Sequence, residues 1–109
     1  MAVLTTTVVG VAGVAPNLVA AAAGGDRCEV GKTVFLHVKN ASGGSLTVTI
    51  DSVAPSNYGV DNDLAVAVPA GQERFIGPLP PERFASASDG LAAITYSGVT
   101  SLTVEPVRV

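Results

Sequence analysis

The chain has 109 residues, a formal charge of −3 and 48% hydrophobic residues, mostly Ala and Val; Trp is absent. That length suits one domain with a core of its own, and a lone Cys28 excludes an internal disulfide framework. The six Lys and Arg (Arg27, Lys32, Lys39, Arg74, Arg83 and Arg108) form no run able to track a phosphate backbone, which argues against nucleic-acid binding.

Residues 2–14 are rich in Val and Thr and suit a strand or an extended arm. Residues 8–23 are apolar enough to imitate a targeting segment. However, no Lys or Arg precedes them, and Pro16-Asn17 interrupts the run. The run also falls short of the ~20 apolar residues that span a bilayer, so neither a cleaved signal nor a membrane span is expected. LVAAAAGG, from Leu18, suggests a helical turn ended by Gly24-Gly25. Residues 1–25 are therefore set apart as an apolar N-terminal arm or strand, and residues 26–109 as the body.

The pattern is clearest over residues 33–50, TVFLHVKNASGGSLTVTI. Val34, Leu36 and Val38 alternate with Phe35, His37 and Lys39, and Leu46, Val48 and Ile50 alternate with Thr47, Thr49 and Asp51. Two such runs joined by a Gly-rich stretch predict a β-hairpin, with Gly43-Gly44 supplying positive φ. A polar loop follows over residues 52–63. Residues 64–68 and 73–76 predict two short strands turned at Ala70-Gly71, and the prolines of residues 77–81 stiffen the next loop. Residues 82–90 read as a loop with one short turn. Residues 91–97 and 102–109 predict the last strand pair, joined by Gly98-Val99-Thr100. About seven short strands predict an all-β fold: a small antiparallel β-sandwich, jelly-roll or Ig-like, with an extended N-terminal arm or strand.

Catalytic chemistry finds little material. His37 is the only histidine, and no neighbour in sequence marks it as a general base, so it reads as an ordinary strand residue. His37 and Cys28 match no zinc spacing. Asp61-Asn62-Asp63, after Tyr58-Gly59, lacks the spacing of a Ca²⁺ loop and reads as a turn. Cys28, with no basic neighbour beyond Arg27, reads as inert. Gly24-Gly25 and Gly43-Gly44 lack the Lys-Ser/Thr of a phosphate loop. The expectation is a non-enzyme without cofactor or metal.

GGD at Gly24, GKTVFLHVKN from Gly31, SLTVTI from Ser45, VPAGQERFIGPLPPERF from Val68 and ITYSGVTSLTV from Ile94 carry a resemblance. Taken in order, these blocks resemble small virion proteins encoded among the structural genes of tailed phages, especially those of actinobacteria. Such proteins are minor capsid or head decoration proteins. The resemblance implies a β-sandwich or jelly-roll-like domain on the capsid exterior, made in the host cytoplasm, that binds the major capsid protein and reinforces the shell. It also implies a homo-oligomer, with a trimer favoured, and no nucleic-acid or membrane partner. Two contact surfaces are expected. One is the N-terminal segment through Val8, Val9, Val11, Leu18 and Val19; the other is the GPLPPERF loop through Leu79, Arg83 and Phe84. The alternatives are a head–tail joining or tail structural protein, and a secreted bacterial adhesion or carbohydrate-binding module.

Overall fold

The structure, a computed structural model, describes residues 2–52, 63–86 and 89–109. Among these residues are ten strands: β1 (Ala2–Val3), β2 (Thr7–Val8), β3 (Val19–Ala20), β4 (Asp26–Cys28), β5 (Val34–Asn40), β6 (Leu46–Ile50), β7 (Leu64–Val68), β8 (Glu73–Ile76), β9 (Ala92–Tyr96) and β10 (Leu102–Arg108). A single-turn helix, α1 (Pro81–Phe84), precedes β9. The strands form two sheets packed face to face. One has the order β1-β4-β9-β6-β7, the other β2-β10-β5-β8, with β3 also on β10. The expected small β-sandwich is what forms.

The alternation in β5 and β6 places side chains as expected. Val34, Leu36 and Val38 point into the core, as do Val48 and Ile50, and none is more than 2% exposed. Ile94, Leu102, Val104, Val68, Leu79 and Phe84 complete the interior with them. Burying a large aliphatic side chain of this kind is worth about 2 kcal/mol, so the mutually facing rows hold the two sheets together.

The connections correct the sequence reading. β5 pairs with β10 and β8, whereas β6 pairs with β7 and β9, so the expected hairpin is an arch that crosses from one sheet to the other. The same holds for β7 to β8 and for β9 to β10. Period-two alternation fixes which side chains face the core. It cannot say whether two successive strands lie side by side or opposite each other.

The first arch also turns differently. Neither Gly43 nor Gly44 takes a positive φ. Asn40, fully buried at the end of β5, organises the turn instead. Its Nδ2 donates to the carbonyls of Gly44 (2.9 Å) and Val68 (2.8 Å), and its Oδ1 accepts from Ser42 N–H (2.9 Å) and Ser42 Oγ (2.6 Å). The backbone N–H of Asn40 donates to Gln72 O at 2.9 Å. One side chain thus ties the β5–β6 arch to the β7–β8 arch, with every polar atom of the amide satisfied.

The N-terminal segment contains no helical turn; the expected turn after Leu18 is replaced by β3. β1 lies parallel to β4 in one sheet, and β2 lies parallel to β10 in the other, so the segment switches sheets between Val3 and Thr7. β3 then returns antiparallel to the start of β10, Thr103 opposite Ala20 and Val104 opposite Val19. Pro106 falls between the β10 residues that pair with β3 and those that pair with β2. A proline has no N–H to give a ladder, and no ladder partner is seated along that stretch of edge.

Candidate binding surface

The chemistry-bearing side chains gather where the N-terminal segment meets the body. Two carboxylates there are buried: Asp26 is 1% exposed and Glu105 is 2% exposed. Both hold the segment. Glu105 Oε2 accepts from Thr7 Oγ1 at 2.5 Å and from Asn17 N–H at 2.7 Å. Asp26 Oδ2 accepts from Ala22 N–H at 3.1 Å and from the Tyr96 hydroxyl at 2.7 Å. The main chain adds Leu4 N–H to Arg27 O (2.7 Å), Val9 N–H to Arg108 O (2.8 Å) and Ala21 N–H to Leu102 O (3.0 Å). Between segment and body lies a cavity of about 330 Å³, and both carboxylates line it.

Burial, reinforced by the hydrogen bond and the charge of Asp26, pushes the Tyr96 phenol well above its usual range. Cys28 follows the same logic. Burial first, then the nearby charges of Glu29 and Asp26, raise its thiol from 9.0 to about 12. A thiol so placed carries almost no thiolate at neutral pH, which fits the inert role read from the sequence.

A second hollow, of about 340 Å³, opens on the outer face of the β10-β5-β8 sheet. Phe35 and His37 on β5 and Phe75 on β8 form one wall. Phe35 and Phe75 meet edge to face at 5.8 Å, and His37 stacks on Phe75 at 4.5 Å. Val9, Val14 and Pro16 form the opposite wall, with Val107 and Glu105 between. His37 lies on β5, as the alternation predicts, but it has the carboxylate partner that its sequence neighbours do not supply. Its Nε2 meets Glu73 Oε1 at 2.7 Å, a partner that sequence did not indicate because it comes from β8.

The expected contact residues separate into two groups. Val8, Val9, Val11 and Val19 are 53%, 39%, 112% and 41% exposed, and Leu18 is half-buried. Leu79 and Phe84 belong to the core, at 0% and 2%, so the proline loop turns these two side chains inward and does not offer them to a partner. The physical reason is pairing. Leu79 N–H donates to Val34 O at 2.9 Å and Gly31 N–H to Leu79 O at 2.8 Å, which fastens the loop onto the end of β5. Arg83 is half-buried with its guanidinium 4.9 Å from the Phe84 ring centre. Of the acidic cluster, Asp61 and Asn62 lie outside the described residues, as do Tyr58 and Gly59. Asp63 Oδ1 accepts from Ser52 N–H at 2.9 Å.

Glu105, Asp26 and Phe75 were not singled out by the sequence reading. The available signal was a lone charge inside an apolar strand, TVEPV, and an aromatic on the polar side of ERFI. No protein-family model, curated protein or solved structure matches the chain.

Proposed function

We propose that this chain is a non-enzymatic structural protein of a tailed-phage virion, which binds the outer surface of the capsid and reinforces it. Its partner in this reading is the major capsid protein, and the assembled form is a homo-oligomer, a trimer being favoured. The resemblance of the ordered sequence blocks supplies the setting. The observation that carries the binding role is the row of apolar side chains presented along the N-terminal segment. Six valines (Val3, Val8, Val9, Val11, Val14 and Val19) are each 39% exposed or more. They are six of the eight large hydrophobic side chains exposed among the described residues, a concentration in one segment that favours a covering partner, and covering apolar area is worth about 25 cal/mol per Å².

Mass spectrometry of purified particles tests the reading. A decoration protein is present in numbers comparable with the major capsid protein, whereas a head–tail joining protein is present in ring-sized numbers. Absence from the particles sinks the virion reading altogether. The contact surface has its own test in the combined substitution Val8→Ser, Val11→Ser and Val19→Ser. All three side chains are exposed, so the fold should persist while binding to empty shells is lost. Undiminished binding would move the contact away from this segment.

A further inference from the structure

We infer that the groove between the N-terminal segment and the outer face of the β10-β5-β8 sheet receives an arginine side chain presented by a protein partner. The starting point is Glu105. The residue is 2% exposed and lines both hollows, yet the donors that reach its carboxylate, Thr7 Oγ1 and Asn17 N–H, are neutral and both end on Oε2. Oε1 accepts no hydrogen bond from a described residue. The ion pairs found among the described residues, Arg27 with Asp89 and His37 with Glu73, leave Glu105 without a counter-charge.

A buried carboxylate is costly until a cation or a full set of donors compensates it. A charge-assisted bond formed there is correspondingly stronger than one at an open site.

The walls narrow the choice of cation. Phe35, Phe75 and His37 present aromatic surface on one side, and Val9, Val14 and Pro16 present aliphatic surface on the other. An arginine has a three-methylene stem for the aliphatic wall and a planar head that stacks on aromatic rings while donating to a carboxylate. Lysine offers the charge without the planar face. An uncharged apolar side chain fills the groove and leaves Glu105 uncompensated. Glu73, half-exposed and paired with the groove residue His37, and a net charge of −3 favour the same sign of partner. The inference holds for any protein that supplies the arginine, whether or not it belongs to a capsid.

The test is a heteronuclear NMR titration of the full chain with the capped tripeptide Gly-Arg-Gly and its citrulline, lysine and norleucine counterparts. The arginine peptide should give saturable shifts at Phe35, Phe75 and Val107. The isosteric but neutral citrulline peptide should bind at least about 10-fold more weakly, which corresponds to about 1.4 kcal/mol. Phe75→Ala, at a side chain 66% exposed and therefore safe for the fold, should weaken the arginine peptide several-fold. Glu105→Gln, which keeps an oxygen for Thr7 and Asn17, should erase the difference between arginine and citrulline. Citrulline or norleucine binding as well as arginine would overturn the inference. So would saturable shifts confined to another face, or none at any attainable concentration. Lysine matching arginine would overturn the guanidinium assignment.

Discussion

The N-terminal segment and the sandwich body are built from the same small β-branched residues. Yet Val34, Val38, Val48 and Val104 are at most 2% exposed, whereas Val8, Val9, Val11 and Val14 are 39% exposed or more. Composition does not separate the two regions; the means of attachment does. In the body, alternation sets whole rows of side chains against an opposing row, and packing supplies the stability. Among its described residues, the N-terminal segment contributes only Leu4 and Ala21 to the core. It is held by two-residue ladders at sheet edges and by the carboxylates of Asp26 and Glu105. An element held by hydrogen bonds keeps its apolar side chains free for something else.

The sharpest way to break this comparison is to truncate one apolar side chain in each region. Leu36→Ala should cost about 3–4 kcal/mol in urea denaturation, since Leu36 is fully buried between Pro106 and Ile76 of the neighbouring strands. Val11→Ala, at a side chain fully open to water, should change stability by less than about 0.5 kcal/mol. A comparable loss at both positions would mean that the segment is packed as the body is.

Asn40→Ala comes next. It takes one donor from each of the Gly44 and Val68 carbonyls and removes the acceptor for the Ser42 N–H, while the Ser42 hydroxyl keeps Gly44 O, at a cost of about 2 kcal/mol. Both arches depend on that amide, so chemical shifts should move at Gly44 and Val68 together while those of Thr7 and Asn17 stay in place. Movement at the N-terminal segment would show that its carboxylate clamps and the arches form one cooperative unit.

These two variants also mark what the sequence could disclose. The inward faces of β5 and β6 were legible because period-two alternation is a local property that tertiary contacts then use. Sheet membership was not legible: arch and hairpin impose the same alternation, and the bonds that Asn40 makes across the arch have partners in β7 and in the turn. The surface was less legible still. Glu105 is buried only because residues distant in sequence fold over it, and Leu79 and Phe84 are buried because β5 captures the proline loop.

Alkaline pH probes the junction between the regions. The Cys28 thiol titrates at 9.0 when unfolded and at about 12 in the fold, so the unfolded chain loses its proton first. Stability from this group is complete below pH 9 and falls by about 1.4 kcal/mol per pH unit between the two values. The raised Tyr96 phenol acts in the same direction above pH 10, its usual value. Urea midpoints measured from pH 8 to pH 11 should therefore decline, and Cys28→Ala should make the decline shallower. An unchanged slope in that variant would assign the alkaline loss to Tyr96 and its bond to Asp26, the residue that joins the segment to the body.

The smallest expected effect is a gain. Ser101 has a φ of 54°, a left-handed conformation that costs a residue with a Cβ and suits glycine. Ser101→Gly should raise stability by about 0.5 kcal/mol, the relief being partly offset by a freer unfolded chain. The site sits where the two regions meet. Ser101 O accepts from Ala41 N–H of the body at 2.9 Å, and the next carbonyl, Leu102 O, accepts from Ala21 N–H of the N-terminal segment at 3.0 Å. Hydrogen exchange in this variant then distinguishes two cases. If segment and body open together, protection rises equally at Ala41 and Ala21. If protection rises at Ala41 alone, the segment opens on its own, as expected of an element attached by edge hydrogen bonds, and its valines can be presented to a partner without unfolding the sandwich.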